Sequence, residues 1–398
     1  MAVNTRLKHK KQTEIISERL KQISPSGIRK FFDLLASMEG IISLGVGEPD
    51  YSTPWHICEP AVQSLEKGYT MYTSNLGIPE LRQELARYLK DNYNLSYDPE
   101  SELLITVGVS EGMDLAMRAI LNPGDEVIMP DPCYVAYEPC ALLAGGTVIK
   151  VPTYQQNGFE ISAAEIEARL TDRTKAILVG YPANPTGAVM PRDKLRAIAE
   201  LARRHQLIVI SDEIYARLIY GVEHTCFASL PEMKESTILL GGFSKAYAMT
   251  GWRIGYAASS QELIAAMTKI HQYTMMCVPT MSQVAAIAAL KEGESSVLEM
   301  VTEYDQRRKL IVKGLNEIGL PCFEPKGAFY AFPSIKSTGL SSEEFAEKLL
   351  LEEKVAAVPG SAFGQCGEGY IRCCYATSPN EIKEALTRMK RFVTKHTK

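Results

Sequence analysis

The chain has 398 residues, 46% of them hydrophobic, and a formal net charge of −4 at pH 7. Single hydrophobic cores stop growing at roughly 250–300 residues, so this length predicts two domains. The small negative charge argues against a nucleic-acid-binding protein, which needs a clustered basic face. A short basic cluster near the start is interpreted as a solvated arm; it consists of Arg6, Lys8, Lys10 and Lys11.

The nine cysteines include no C-x-x-C pair, so their spacing predicts neither a disulfide framework nor a zinc site. We interpret them as free thiols in a reducing compartment. No apolar run approaches the roughly 20 residues that a membrane helix needs, and no secretory leader opens the chain. These patterns predict a cytoplasmic protein without a bound metal, a nucleic-acid partner or a membrane partner.

Short apolar runs alternate with amphipathic helical patterns through the middle of the chain. In chain order the patterns predict a helix at 78–93, four strands at 103–107, 126–129, 147–151 and 175–180, a second helix at 195–205, and three strands at 207–211, 237–241 and 254–258. This alternation predicts an α/β fold, a mostly parallel sheet sandwiched by helices.

From about residue 290 onward the pattern changes to longer helices, with a strand pair around 327–334 and 369–375. We therefore expect a large domain at 46–290 and a small C-terminal domain at 291–398. Residues 1–45 are expected to form an N-terminal arm and part of the small domain, which would then be an α+β unit built from both chain ends.

Polar residues follow four of the predicted strands, at the edge where α/β sheets bind ligands. The segments are 107–112, which opens a helix, 181–187 with Asn184, 211–215 with Asp212, and 241–255 with Lys245. Each has an ordinary explanation when taken alone, as a turn, a helix cap or a solvated lysine. Their occurrence at successive strand ends indicates one shared site. The glycine spacing fits neither a Walker loop nor G-x-G-x-x-G.

The stretch from Ser244 to Arg253 resembles the cofactor-lysine signature of class I aminotransferases of fold type I. The resemblance extends over nearly the whole chain; it includes Gly-Glu-Pro-Asp at 47–50, Tyr72, Asn-Pro-Thr-Gly at 184–187, Asp-Glu-Ile-Tyr at 212–215 and Arg372. It is strongest to the bacterial branch of aromatic, aspartate and acetyl-diaminopimelate transaminases. The large domain would then bind pyridoxal 5′-phosphate.

The resemblance implies a role for each residue around the cofactor ring. Lys245 would form the internal Schiff base and then move the substrate proton. Asp212 would pair with the pyridine nitrogen and keep it protonated. Asn184 and Tyr215 would hydrogen-bond the phenolic oxygen, and Tyr134 would stack on the ring.

The resemblance also implies a phosphate site and a substrate clamp. The backbone N–H groups of Val109, Ser110 and Glu111 would bind the phosphate at a helix start, helped by the side chains of Ser244 and Arg253. Tyr72 would reach the phosphate of a neighbouring subunit, which requires a homodimer. Arg372 would bind the substrate α-carboxylate in a planar fork, together with Asn184 and the backbone of Gly47.

The expected reaction is a ping-pong transfer of the amino group from an L-amino acid to a 2-oxo acid such as 2-oxoglutarate. Some aspartate-preferring relatives carry lysine where this chain has Ser110, so an aromatic or broad-range donor is favoured. Residues 273–276 are interpreted as a core helix, or else as an adaptable pocket wall.

The sequence leaves two alternatives to this reaction open. One is a C–S lyase on the same fold, which would use the same lysine and aspartate. The other is a regulator that carries an aminotransferase-like domain behind a DNA-binding module. The roughly 40 residues before Gly45 are too few for such a module and its linker.

Overall fold

The structure is a computed structural model that describes residues 16–23 and 39–397. The basic cluster of Arg6 to Lys11 lies outside these ranges. The strands are β1 (Ile42–Ser43), β2 (Leu103–Thr106), β3 (Glu126–Asp131), β4 (Thr147–Pro152), β5 (Thr174–Val179), β6 (Ile208–Asp212), β7 (Thr237–Gly242), β8 (Gly255–Ala258), β9 (Tyr330–Ala331), β10 (Val355–Ala356), β11 (Val358–Pro359) and β12 (Ile371–Cys374).

The α-helices alternate with these strands through most of the chain. They are α1 (Glu18–Lys21), α2 (Trp55–Glu66), α3 (Pro79–Tyr93), α4 (Gly108–Ile120), α5 (Tyr137–Leu143), α6 (Ala163–Glu167), α7 (Arg192–Arg204), α8 (Gln261–Thr274), α9 (Thr280–Glu292), α10 (Glu294–Glu317), α11 (Ser342–Glu353) and α12 (Pro379–His396). Short 3₁₀ turns occur at Gln155–Asn157, Phe227–Ser229, Lys336–Thr338, Gly360–Phe363 and Gln365–Gly367.

The central sheet has seven strands in the order β2-β8-β7-β6-β5-β3-β4. The neighbours from β7 to β4 are parallel, and β8 alone runs antiparallel to both of its neighbours. All the strands predicted between residues 103 and 258 are present, with their ends within about two residues of the prediction. The mostly parallel α/β sheet is therefore confirmed.

Both faces of the sheet are covered, which explains why its strands are almost continuously apolar. Successive residues of β5 point to opposite faces. Ala176 and Leu178 pack in the cluster that contains apolar residues of α4 and α8. Ile177 and Val179 pack in the cluster that contains apolar residues of α7. With both faces buried, the polar residues that follow the strands are confined to the edge of the sheet.

The two ends of the described chain meet in a smaller α+β unit. β1 pairs in parallel with β10, and β9, β12 and β11 form an antiparallel sheet. This sheet contains the predicted strand pair, with Cys373 opposite Ala331. Leu44 packs in one core cluster with residues of α10, α11 and α12. The early segment is thus built into the C-terminal unit, as expected.

Two general features concern the whole described part of the chain. Within residues 16–23 and 39–397, no helix combines the length and the apolar character that crossing a membrane requires. All nine cysteines fall in the second of these ranges, and all nine are free thiols.

Candidate active site

A cavity of about 550 Å³ lies beyond the carboxyl ends of β5, β6 and β7. Most of the residues predicted for the site line it; they are Gly47, Val109, Ser110, Tyr134, Asn184, Asp212, Tyr215, Ser244, Lys245, Arg253 and Arg372. Glu111 and Tyr72 were also predicted for the site but do not line this cavity. The topology of the sheet thus brings together residues that are up to 325 positions apart in the sequence, from Gly47 to Arg372.

Lys245 lies in the turn after β7, and its amine is largely withdrawn from water. Its Nζ donates a hydrogen bond to the carbonyl oxygen of Gly47 at 2.7 Å. The ring centroids of Tyr215 and Phe329 lie 5.9 and 5.8 Å from Nζ. Burial disfavours the ammonium form and lowers the pKa of Lys245 to about 8. The amine is therefore prepared to act as a nucleophile and as a base close to neutral pH.

Asp212 ends β6 with its carboxylate buried in the wall of the cavity. Oδ2 accepts a hydrogen bond from the Tyr137 phenol at 2.8 Å, and Oδ1 accepts one from the backbone N–H of Ile214 at 3.1 Å. Burial raises the pKa of Asp212 to about 6, against the lowering effect of the Tyr137 hydrogen bond. A buried carboxylate of this kind gains stability from a cationic partner in the cavity.

Tyr137 was not predicted as a site residue. It begins α5, three positions after Tyr134, and the two rings pack edge to face with centroids 5.5 Å apart. Burial raises the pKa of the Tyr137 phenol well above its usual value, so the phenol stays protonated as a donor to Asp212. It lies six residues after the end of β3 and three after the predicted Tyr134, and its closeness to Tyr134 was the signal that could have identified it.

The turn between β2 and α4 has the form of an anion site. The first N–H groups of a helix lack intrahelical acceptors and carry partial positive charge. Gly108 has φ +71°, and a Cβ added there would lie 2.7 Å from Arg253 Nη2. A Cβ added to Gly255 would lie 2.8 Å from the backbone N of Val109. The helix start and the Arg253 guanidinium thus meet in a space that admits no extra side chain.

Arg372 projects from β12 into the cavity and is only 3% exposed. Its Nη1 donates to Asn184 Oδ1 at 3.0 Å and its Nη2 to the Gly45 carbonyl oxygen at 2.6 Å. Its Cζ lies 4.5 Å from the Tyr330 ring centroid and 5.0 Å from that of Phe363. Its Nε has no hydrogen-bond partner, and no carboxylate within residues 16–23 and 39–397 pairs with it. A buried guanidinium without a counter-ion indicates that an anion is supplied from outside the chain.

Tyr330 is a second lining residue that was not predicted, although it lies in the predicted strand pair. Its hydroxyl is 2.7 Å from the Tyr215 hydroxyl. A Cβ added to Gly47 would come within 2.5 Å of the same hydroxyl. Tyr330 therefore links the ring of Tyr215, the guanidinium of Arg372 and the Gly47 backbone.

The segment from Gly45 to Asp50 is anchored on both sides of the cavity. Thr250 donates to the Glu48 carboxylate at 3.2 Å. Arg307 of α10 donates to both oxygens of Asp50, each at 2.8 Å. The Arg307 guanidinium lies 5.4 Å from the ring centroids of both Tyr51 and Tyr304. The smaller unit thus holds the segment whose carbonyl groups contact Lys245 and Arg372.

An exposed apolar patch around Tyr69, Met71, Tyr72 and Tyr273 lies apart from the residues that line the cavity. Tyr72 is 81% exposed and Tyr273 is 84% exposed. Two hydrogen bonds join the two segments of the patch, from Thr280 Oγ1 to the Met71 carbonyl oxygen and from Asn75 Nδ2 to that of Met276. The interpretation of residues 273–276 as a core helix is therefore wrong, and they do not line the cavity either.

The comparisons with known proteins agree with this geometry. The family "Aminotransferase class I and II" matches residues 39–389. YugH of Bacillus subtilis (strain 168) is 57% identical over 385 residues, 97% of this chain and 100% of that protein. The aspartate aminotransferase of Pyrococcus abyssi (strain GE5 / Orsay) is 48% identical over 381 residues, 95% of this chain and 98% of that protein.

A solved aminotransferase structure is also similar to this chain. The crystal structure of an aromatic aminotransferase from Pyrococcus horikoshii OT3 matches with a TM-score of 0.88 at 45% identity, over 92% of this chain and 99% of that one. These findings favour transamination over the lyase and regulator alternatives. The chain therefore belongs to the class I and II aminotransferase family, and it is an aminotransferase that uses pyridoxal phosphate.

Proposed function

We propose that this aminotransferase moves the amino group of an aromatic or broad range of L-amino acids to a 2-oxo acid such as 2-oxoglutarate, by a ping-pong mechanism. The observation that carries this proposal is the buried Arg372 guanidinium, which lines the same cavity as the Lys245 amine and has no carboxylate partner in the described chain. Amino acid and oxo acid share the α-carboxylate that such a group binds. One site can therefore serve both substrates in turn.

The residues around the cavity fit pyridoxal phosphate. Lys245 would attach it covalently, and Asp212 would pair with its ring nitrogen. Asn184 and Tyr215 would hydrogen-bond its phenolic oxygen, and Tyr134 would stack on its ring. Its phosphate would be held by the backbone of Val109, Ser110 and Glu111 and by the side chains of Ser244 and Arg253. When bound, the cofactor supplies an aldehyde that takes the amino group and a ring that withdraws electrons from the substrate Cα.

The chain's own groups then position the substrate and move its proton. Arg372 and Asn184 would orient the α-carboxylate, with the Gly47 backbone alongside it. Lys245 Nζ, with its pKa lowered to about 8 by burial, would accept the proton from Cα in one half-reaction and return a proton to Cα in the other. Asp212 would keep the ring nitrogen protonated, because its buried carboxylate favours a cationic partner.

The donor preference is inferred from the charges around the cavity. Of the described residues that line it, the cationic ones are Lys245, Arg253 and Arg372, and the proposed mechanism uses all three. Ser110 stands where some aspartate-preferring relatives carry lysine, so no cation is provided there for a side-chain carboxylate. Other lining residues, such as Met113 and Ile214, are apolar. This lining supports an aromatic or broad-range donor.

The assembly and location are further parts of the proposal. The exposed patch around Tyr69, Met71, Tyr72 and Tyr273 suits a second copy of the chain. In such a homodimer Tyr72 would reach the cofactor phosphate of the partner. The free thiols favour the reducing cytoplasm. Residues 46–290 would form the large domain and 291–398 the small one, with 1–45 forming an N-terminal arm and part of the small domain. Sedimentation analysis of Tyr72→Glu against the parent chain tests the dimer.

Two experiments test the catalytic proposal. Lys245→Ala should lose the visible absorption band of the attached cofactor, whereas the control Lys150→Ala, which removes an ion pair with Glu138, should keep it. An unchanged band in Lys245→Ala would overturn the assignment of the anchor. The second experiment compares kcat/KM for Phe, Tyr, Asp, Ala and Leu with 2-oxoglutarate as acceptor. A value for Asp far above those for Phe and Tyr would refute the donor preference.

A further inference from the structure

A buried histidine–glutamate pair lies behind the start of α4, and neither side chain lines the cavity. His271 Nδ1, on α8, is 2.7 Å from Glu111 Oε1. The other carboxylate oxygen, Glu111 Oε2, accepts a hydrogen bond from the backbone N–H of Val107 at 2.5 Å. His271 is fully buried, and its Nε2 has no hydrogen-bond partner in the described chain. The imidazole therefore makes one polar contact, and that contact is with Glu111.

The carboxylate of Glu111 needs a structural explanation, because it lies in the first turn of a helix whose start would bind a phosphate. A second anion there repels the phosphate unless its charge is engaged elsewhere. Both oxygens of Glu111 have hydrogen-bonding partners, and the residue does not line the cavity. By accepting the Val107 N–H, Glu111 leaves the N–H groups of the first helical turn for an external anion.

The turn that Glu111 holds has little freedom to move. On one side, Thr106 Oγ1 donates to the Gly108 carbonyl oxygen at 2.9 Å. On the other side, Gly108 has φ +71° and lies against the Arg253 guanidinium, and a Cβ added to Gly255 would lie 2.8 Å from the backbone of Gly108 and Val109. Without the hydrogen bond from the Val107 N–H to Glu111, the turn would be free to move on that side. The N–H groups of the turn would then lose their fixed direction.

We propose that His271 is a positioning residue for the cofactor phosphate. It holds Glu111, and Glu111 fixes the Val107–Ser110 turn so that its N–H groups point at the phosphate. This inference rests on the proposed function, in which that turn binds the phosphate. The competing explanation is that the pair only stabilises the packing of α8 on α4. The two explanations differ in one respect: only a positioning role distinguishes ligands that carry a phosphate from ligands that do not.

The test uses the full chain freed of cofactor, titrated with pyridoxal phosphate and separately with pyridoxal, which lacks the phosphate. His271→Leu should weaken pyridoxal phosphate binding on the order of tenfold, the effect of about one hydrogen bond, and leave pyridoxal binding unchanged. His271→Asn should restore the affinity, because its amide nitrogen can replace Nδ1 as the donor. Equal losses for both ligands, or no loss for either, would overturn the proposal.

A matched control is available in a second buried pair, His224 and Glu213. His224 Nε2 is 2.7 Å from Glu213 Oε2, and both side chains are buried. This pair adjoins Asp212 rather than the phosphate turn. His224→Leu should therefore keep the ratio of the affinities for pyridoxal phosphate and pyridoxal. A change in that ratio as large as the one in His271→Leu would show that any buried pair has this effect, and would refute the specific role of His271.

One further variant separates this inference from the proposed function. Arg253→Met removes the guanidinium from the phosphate turn itself. If it leaves the preference for pyridoxal phosphate over pyridoxal unchanged, the phosphate site is elsewhere and the proposed function fails at that point. If Arg253→Met reduces the preference and His271→Leu does not, the phosphate site stands and only the role of His271 is refuted.

Discussion

Replacing Arg372 by lysine keeps a positive charge on β12 but removes the planar fork. In the parent chain the guanidinium plane is fixed by Asn184 and Gly45 and is flanked by the rings of Tyr330 and Phe363. The fork can therefore present two N–H groups to a carboxylate without moving. An ammonium group on a flexible stem offers one hydrogen bond in that direction.

The size of the effect follows from the lost hydrogen bond. A hydrogen bond to a charged group contributes about 1.5–3 kcal/mol, so kcat/KM in Arg372→Lys should fall by about 10- to 150-fold. The loss should appear mainly as a higher KM. It should affect the amino acid and the oxo acid alike, because both carry the carboxylate.

The assay is a steady-state analysis that varies each substrate in turn. An amine without a carboxylate is the control substrate, and its rate should be the same in the parent and in Arg372→Lys. The visible absorption band should also be unchanged, since Arg372 is not proposed to hold the cofactor. An unchanged KM for both substrates, or an increase for only one of them, would refute the role of Arg372 as the common carboxylate clamp.

The remaining predictions concern the cofactor and the segment over the site. Burial disfavours the charged form of Lys245, so covalent uptake of pyridoxal phosphate by the cofactor-free chain should speed up with rising pH and level off above about pH 8; a pH profile without that inflection would contradict the lowered pKa. Asp212→Asn should keep the absorption band but lower kcat by roughly 10- to 1000-fold, since a carboxylate shifts a partner's pKa by about 1–3 units; an unchanged kcat would remove Asp212 from its role. Arg307→Ala should raise KM several-fold by releasing Asp50, whereas Arg308→Ala, equally buried on α10 but paired with acids outside this segment, should not; equal effects would indicate general destabilisation.

The strands and most of the cavity residues could be predicted because both depend on local pattern and general topology. Runs such as 175–180 are apolar throughout since the sheet is buried on both faces, and polar residues after such strands must gather at one edge. The charge of a lysine, aspartate or arginine side chain after such a strand follows from its residue type and does not depend on exact interatomic distances. That is why Asp212, Lys245 and Arg372 were found from motifs alone.

Other features depend on contacts that no local pattern records. Tyr137 and Asp212 are 75 residues apart, Tyr215 and Tyr330 are 115 apart, and Glu111 and His271 are 160 apart. Residues 273–276 are Tyr-Thr-Met-Met, and tyrosine and methionine occur both in cores and at interfaces. Residue type alone therefore led to a core assignment, although these residues form part of an exposed patch.

The close packing at Gly108 and Gly255 has a consequence for how this enzyme family can diversify. Gly108 has φ +71°, and a Cβ added to Gly255 would lie 2.8 Å from the backbone of Gly108 and Val109, so a side chain at either position would strain the phosphate half of the site. Met113 and Val46 line the same cavity with side chains that the proposed mechanism does not use. Substrate preference can thus drift while the chemistry stays fixed, and relatives named for aspartate and for aromatic substrates lie at nearly equal identity, 48% and 45%, from this chain.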